Sequence, residues 1–323
     1  MTFIKNNMNN RGFEMSFAWM FAIIVGAVVI FLAIYFTTQF IGTEREIQNT
    51  EAGKQIGILL NPVETSLEDA KIAKITTPLE TRIYNDCLIK SGQSFGSQKI
   101  AVATASGVGE KWVEPGTASS FYNKYVFSDS VVQGKEFIVF SKPFRFPFKV
   151  ADLLFVWDLG DKYCFVTPPQ WMEEELDDLS PEGIKVVGNL EDCETLDIKV
   201  CFSTVSNCNI DVNMNAQSVK KNKGTTTVYF EDSLIYGAIF AEPDLYECQV
   251  KRLMSRTSEL SALYYSKSSY VGSVGCGSSA LHGNLLALSN STSHFEKSFD
   301  IILSSFISNE LGTQNRRLSC KLF

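Results

Sequence analysis

Charged residues are missing from one long stretch of this chain. Of the 323 residues, 20% are charged, yet none of the positions from Met15 to Thr43 is. A run of roughly 20 apolar residues is enough to cross a bilayer, and buried helices of soluble proteins seldom continue so far without a polar face. The missing charge therefore predicts a transmembrane helix over residues 15–43.

The same segment lacks the features of a cleaved secretory peptide. Such a peptide has an apolar region of roughly 7 to 15 residues and then a cutting site of small residues, whereas this run is longer and is followed by the sequence QFIGTE. Lys5 and Arg11 precede the segment, and basic residues are retained in the cytoplasm. We therefore expect residues 1–14 to be cytoplasmic and the helix to anchor a large extracytoplasmic part.

Common catalytic signatures are also missing. The sequence contains no G-x-S-x-G, no G-x-x-x-x-G-K-[ST] and no H-E-x-x-H, which removes the usual serine hydrolase, nucleotide-binding and zinc protease templates. His282 and His294 are the only histidines. Cys276 stands six residues before His282, but a cysteine nucleophile also needs a group that orients its base. We expect no catalytic residue and no cofactor, with Cys276 as the alternative for an enzyme.

No two cysteines form a C-x-x-C pair, although all eight follow the apolar segment. Structural zinc sites usually bring their ligands in such close pairs, so no metal site is expected. An even number of cysteines in an exported domain predicts disulfides, and buried reduced thiols are the alternative. We expect Cys201 to pair with Cys208 across a hairpin and Cys248 to pair with Cys320.

A basic surface is missing as well. After the apolar segment the chain has 27 basic and 35 acidic residues, with no basic stripe. Nucleic-acid binding is therefore not expected. The expected partners are the lipid bilayer and, beyond it, other copies of this chain or other surface proteins.

The spacing of apolar residues divides the rest of the chain into three regions. Residues 44–62 continue the apolar helix as a helical stalk that ends near Pro62, and residues 63–242 hold short runs of β-branched and aromatic residues typical of strands. Helical periodicity returns in residues 243–323, which we expect to pack on the β-rich domain. The predicted fold class is α+β, with a transmembrane helix, a β-rich extracytoplasmic domain and C-terminal helices.

One strand-like run has a clear two-residue alternation. In residues 144–150 the apolar positions are Phe144, Phe146, Phe148 and Val150, and they alternate with Arg145, Pro147 and Lys149. Side chains alternate between the faces of a strand. We expect the phenylalanines to belong to the sheet core, and an aromatic ligand groove is the alternative.

The residues just before the apolar helix are Arg11-Gly12-Phe13-Glu14. They resemble the class III signal of type IV pilin-like proteins, and the segment EMSFAWMFAIIVGAVVIFLAIYF is similar to that of uncharacterised single-pass membrane proteins of archaea. This resemblance implies cleavage after Gly12. Pilins carry a glutamate at the fifth position of the processed chain, whereas Glu14 would be the second residue here. A plain anchor and a processed, pilin-like stem are both left open.

Three classes of function fit these patterns. The first is a membrane-anchored cell-surface protein with a structural, adhesive or pilin-like assembly role. The second is an exported ligand-binding module, and the third is a surface enzyme that uses Cys276. An exposed apolar patch would favour the first class, and a deep pocket with convergent polar groups would favour the second.

Overall fold

The fold class predicted from the sequence is confirmed in a computed structural model of the chain. The structure has an apolar N-terminal helix, a central region with two β-sheets, and C-terminal helices. It describes residues 17–59, 70–89, 95–105, 112, 115–202, 208–221, 224, 226–229, 231–273, 275 and 277–323.

The N-terminal helix, α1, runs without a break from Phe17 to Leu59. Its first part, Phe17–Phe40, is long and apolar enough to cross a membrane, and all of its side chains are exposed or half-buried. The chain forms two compact units, one ending at Ile47 and one beginning at Gln48. The second part of α1 therefore belongs to the large C-terminal unit.

The first sheet is mostly antiparallel and has six strands in the order β3-β2-β1-β5-β6-β4. Only the β4–β6 pair is parallel. The strands are β1 (Lys71–Leu88), β2 (Ser97–Thr104), β3 (Ser119–Phe121), β4 (Val126–Phe127), β5 (Val131–Arg145) and β6 (Lys149–Asp158).

The second sheet also has six strands, in the order β12-β11-β10-β9-β7-β8. Its members from β8 to β10 pair in parallel, whereas β10, β11 and β12 form an antiparallel edge. The strands are β7 (Tyr163–Val166), β8 (Ile184–Val187), β9 (Ile198–Cys201), β10 (Ile210–Asn213), β11 (Ser218–Lys221) and β12 (Thr226–Val228).

Five more helices are described, α2 (Gln170–Leu179), α3 (Glu231–Phe240), α4 (Pro243–Ser273), α5 (His282–Ser293) and α6 (Ile301–Arg317). The sequence did not predict α3, which lies inside the region assigned to strands. Eight of its ten residues, from Ser233 to Phe240, are buried. A helix that is apolar all round has no periodicity that separates it from a buried strand.

The first sheet is covered by apolar side chains on both faces, because alternate residues of a strand point to opposite sides. On one face Phe137 and Val139 of β5 pack with Ile56 of α1. On the other face Phe140 of β5 packs in the main core with α3, and its ring lies 4.9 Å from that of Tyr236. The β-rich region and the C-terminal helices thus share one core.

The predicted stalk is wrong for residues 49–57, because this segment packs on the first sheet. Asn49, Gly53 and Ile56 are all buried. A Cβ added at Gly57 would lie 2.1 Å from the Phe121 ring of β3, which is far inside van der Waals contact. Glycine here lets the helix approach the sheet closely, and burial of apolar area explains why the segment does not stand free.

Two disulfides link strands to other parts of the large unit. Cys87 of β1 bonds Cys248 of α4, and Cys164 of β7 bonds Cys193. The predicted pair of Cys248 with Cys320 is therefore wrong, because Cys248 lies near the start of α4, beside β1, whereas the C-terminal residues pack on a later part of α4, around Tyr264.

A third disulfide joins Cys201 to Cys208, which is the expected pair. The expected hairpin is wrong, because β9 and β10 pair in parallel. Cys320 is also disulfide-bonded. None of the seven cysteines in the described part of the chain is a free thiol. Disulfides persist in oxidising compartments and are rare in the cytosol, so the large unit has the chemistry of an exported domain.

Arg252 of α4 is fully buried beside the Cys87–Cys248 bond and connects α4 to the loops around β3 and β4. Its guanidinium donates to the main-chain oxygens of Phe95 (2.8 Å), Lys124 (2.8 Å) and Tyr122 (3.1 Å), and to the side-chain oxygen of Gln249 (2.8 Å). It also lies over the Tyr125 ring. Buried polar groups are stable when their hydrogen bonds are made, and this network meets that condition.

Candidate functional site

The 144–150 run forms the turn between β5 and β6 rather than one long strand. The four apolar side chains are buried in the main core, as the alternation predicted. The alternate residues Arg145, Pro147 and Lys149 line a cleft, and the edge of the core at Phe148 also borders it. Pro147 sits in the turn, after a cis peptide bond.

This cleft, which we call the hairpin cleft, has a cavity volume of about 620 Å³. The β5–β6 turn forms one wall and α6 forms the opposite wall. The two approach closely, because a Cβ added at Gly312 of α6 would lie 3.3 Å from the Cβ of Pro147. Ligand pockets commonly measure roughly 300 to 1,000 Å³, so the hairpin cleft has the size of a small-molecule site.

The apolar end of the hairpin cleft is built from three aromatic rings. The Phe148 ring lies 4.5 Å from that of Tyr264 and 5.4 Å from that of Phe323, and Tyr264 and Phe323 are 5.3 Å apart. Asn315 of α6 holds the C-terminal residues in place, since its side chain donates to the Phe323 oxygen at 2.6 Å and accepts from the Leu322 N–H at 2.7 Å. This wall is therefore rigidly packed.

Three cationic side chains and one carboxyl group line the rest of the hairpin cleft. The cations are Arg145, Lys149 and Arg316, and the carboxyl group belongs to Glu231. Arg145 and Arg316 are exposed to solvent. Arg316 donates a 3.1 Å hydrogen bond to Thr313 one turn earlier, and Lys149 pairs with Asp152 at 2.8 Å. The hairpin cleft is a basic site in a domain that carries net negative charge.

Glu231, the first residue of α3, has an unusual backbone and an unusual carboxyl group. Its φ of 59° lies in the left-handed region that non-glycine residues rarely adopt. Desolvation raises the pKa of its carboxyl group to about 7, and the nearby Asp232 adds to this effect while Arg145 opposes it. The side chain still reaches solvent through the hairpin cleft. Strained backbone and a shifted pKa together are typical of functional positions.

A second candidate surface is an apolar stripe on α6 and the turn before it. Its four members follow the i, i+3, i+4, i+7 spacing of one helical face. We call them the α6 stripe, and their exposed fractions are Phe299 68%, Ile302 38%, Leu303 68% and Phe306 68%. Single exposed apolar residues are normal, whereas a contiguous group marks an interaction surface.

The residues singled out for processing and catalysis lie mostly outside the described part of the chain. Arg11, Gly12, Phe13, Glu14 and Cys276 are all outside it. His282 is described, and its Nε2 lies 3.3 Å from the Ser269 hydroxyl beside the Tyr265 ring. Among the described residues, no group of three or more His, Cys, Asp or Glu side chains could hold a metal ion.

One polar cluster, centred on Glu175 in the acidic helix α2, could not be found from the sequence. Most carboxylates of α2 are exposed on one helical face. Glu175 instead points inward, where it accepts hydrogen bonds from Lys142 of β5 and Tyr236 of α3, each at 2.7 Å. These partners are distant in sequence, so no local pattern indicates them. The cluster connects β5, α2 and α3 and supports the wall that carries Glu231.

Comparison with known proteins gives no further indication of function. No protein-family model, no curated protein and no solved structure matches the chain. The features of the molecule that bear on its function are therefore the apolar helix, the disulfides, the hairpin cleft and the α6 stripe.

Proposed function

We propose that this chain is a single-pass membrane protein that anchors a non-enzymatic domain at the cell surface, with a structural role in which copies of the domain associate. In this proposal residues 1–14 are cytoplasmic, the apolar part of α1 stays in the bilayer, and the disulfide-bonded unit lies outside. The charge flanking the apolar segment supports this orientation. The disulfides support an oxidising location for the large unit.

The observation that carries the structural role is the α6 stripe. With its printed exposures, and with aromatic side chains of 150–250 Å² each, the stripe presents roughly 450 Å² of apolar surface. Two such faces together would bury roughly 900 Å², a suitable apolar centre for an interface of standard size, about 1,600 Å² in total. A second copy of the chain is therefore an occupant of matching size and chemistry.

Anchoring makes this self-association easier. Copies held in one membrane share an orientation and meet in two dimensions, which raises their effective concentration without any new contact. A face that is too small to hold a stable dimer in solution can then hold two copies together at the membrane. A pilin-like assembly of the transmembrane helices, with cleavage after Gly12, is a further form of this proposal and stays a prediction.

Replacing Leu303 by glutamate is expected to weaken self-association at least tenfold, because the interface would bury an unpaired charge at its centre. Two copies with different affinity tags would be co-expressed, cross-linked in the native membrane, and captured through one tag. The measurement is the amount of the second tag recovered.

Leu263→Glu is the matched control for this test. Leu263 is 63% exposed on α4, close to the 68% exposure of Leu303, so the change has the same chemistry on another helix. We expect recovery within about twofold of the unmodified chain. Equal recovery for the two variants would contradict the proposal. The tag could instead capture only a different protein, and Leu303→Glu but not Leu263→Glu could abolish that capture. The α6 stripe would then bind that protein rather than a second copy of the chain.

A further inference from the structure

The hairpin cleft combines features that the structural role does not use. It is the cavity in which the exposed guanidinium groups of two arginines, a half-buried lysine and a strained glutamate open onto the same space. The α6 stripe is a separate surface, because Phe299, Ile302, Leu303 and Phe306 are not among the residues that line the cleft. A role in self-association therefore explains none of the charges in the cleft.

We propose that the hairpin cleft binds a small organic anion that has a carboxylate or phosphate group at one end and an apolar group at the other. The anionic end would lie against Arg145 and Arg316, because the planar guanidinium fork matches carboxylate and phosphate oxygens in a bidentate geometry. The apolar end would lie against the half-buried rings of Tyr264 and Phe323.

Charge supports this choice of ligand over a cation or a neutral sugar. The exported part of the chain has more acidic than basic residues. In the lining of the cleft Lys149 is paired with Asp152, which leaves the two guanidinium groups of Arg145 and Arg316 against the one carboxyl group of Glu231. Such a local excess of positive charge in a concave site attracts anions. The two walls are held in place by the Gly312–Pro147 approach and by the Asn315 hydrogen bonds, so the site is organised before a ligand arrives.

Glu231 gives the site a dependence on pH. Its pKa of about 7 reflects desolvation and the charge of Asp232, partly offset by Arg145. The other charges at the cleft are Arg316 and the Lys149–Asp152 ion pair. An anion is repelled by the ionised carboxylate and can accept a hydrogen bond from the protonated form. Affinity should therefore be highest below pH 7 and fall as the pH rises through about 7.

The test uses the full chain in lipid nanodiscs and titration calorimetry, with empty nanodiscs as the blank. The probes are 3-phenylpropionate and phenyl phosphate, and uncharged 3-phenylpropanamide has the same ring without the charge. We expect at least one of the two anions to bind and the amide to bind at least tenfold more weakly. Comparison of the two anions shows which headgroup the site prefers. Equal binding of the amide, or no binding of either anion, would overturn the proposal.

Three variants locate the binding. The double change Arg145→Gln with Arg316→Gln should weaken binding at least tenfold, because both guanidinium contacts are lost. Arg317→Gln is the matched control, since this exposed neighbour on α6 does not line the cleft, and it should leave the affinity within about twofold. Glu231→Gln should remove most of the pH dependence between pH 6 and 8. Equal affinities for the double variant and the Arg317→Gln control would place the anion elsewhere and overturn the proposal.

Discussion

Loss of the Cys87–Cys248 disulfide is expected to lower the free energy of unfolding of the large unit by about 5 kcal/mol. The two cysteines are separated by 161 residues, and a cross-link that closes a longer loop removes more conformational entropy from the unfolded chain. The bond also attaches α4 to β1, so it joins the C-terminal helices to the first sheet. Most domains have a total stability of only about 5 to 15 kcal/mol, so this change should unfold a large share of the molecules.

The measurement is chemical unfolding of the full chain in nanodiscs, followed by tryptophan fluorescence, to which the buried Trp157 contributes. The Cys87→Ser and Cys248→Ser changes are made together, so no unpaired thiol is left. The double change Cys201→Ser with Cys208→Ser is the control, because those residues are only seven apart and the same relation gives about 2 kcal/mol. Equal losses for the two pairs would contradict the entropic argument.

Replacing Arg252 by methionine is expected to lower the free energy of unfolding by about 3 to 5 kcal/mol. Methionine fills similar space but leaves the main-chain oxygens of Phe95, Tyr122 and Lys124 without their donor. Buried acceptors that lose their partners cost about 1 to 3 kcal/mol each before the structure relaxes. The segments before β2 and between β3 and β4 should loosen first, because Arg252 holds them to α4.

Two companion variants identify the cause of this loss. Arg252→Lys keeps a positive charge but not the planar fork, so it should recover only part of the stability. Lys251→Met removes a half-buried cation from the preceding position of the same helix, and it should cost less than about 1 kcal/mol. Comparable losses for Arg252→Met and Lys251→Met would show that the network does not stabilise the fold as described. Unfolding in urea, read as for the disulfide variants, measures all three.

Local sequence patterns predicted the segments in which successive residues have the same surroundings or alternate regularly between two. The charge-free run gave the apolar part of α1, and the alternation of Phe144, Phe146 and Phe148 gave the buried face of the β5–β6 turn. The strand run has a two-residue period because one of its faces meets the core, whereas a charge-free run of this length is recognised without any period.

The sequence alone could not predict the structural features that depend on contacts between residues far apart in the chain. Helix α3 is buried on all sides and so has no polar face to set its period. The partner of Cys248 is 161 residues away, and spacing alone does not select among the many possible pairings of eight cysteines. The hairpin cleft joins Arg145, Glu231 and Arg316 from three separate elements, and only the tertiary fold places them on one cavity.

Protease digestion of intact native cells tests most directly whether α1 anchors an exported domain. The account predicts that added protease degrades the region after Glu44, while an antibody against residues 1–14 still detects a protected fragment that contains the apolar segment. Disrupting the membrane should then expose that fragment as well. If the disulfide-bonded unit from Gln48 onward survives in intact cells and is degraded only after the membrane is disrupted, the proposed orientation and the surface role are both contradicted.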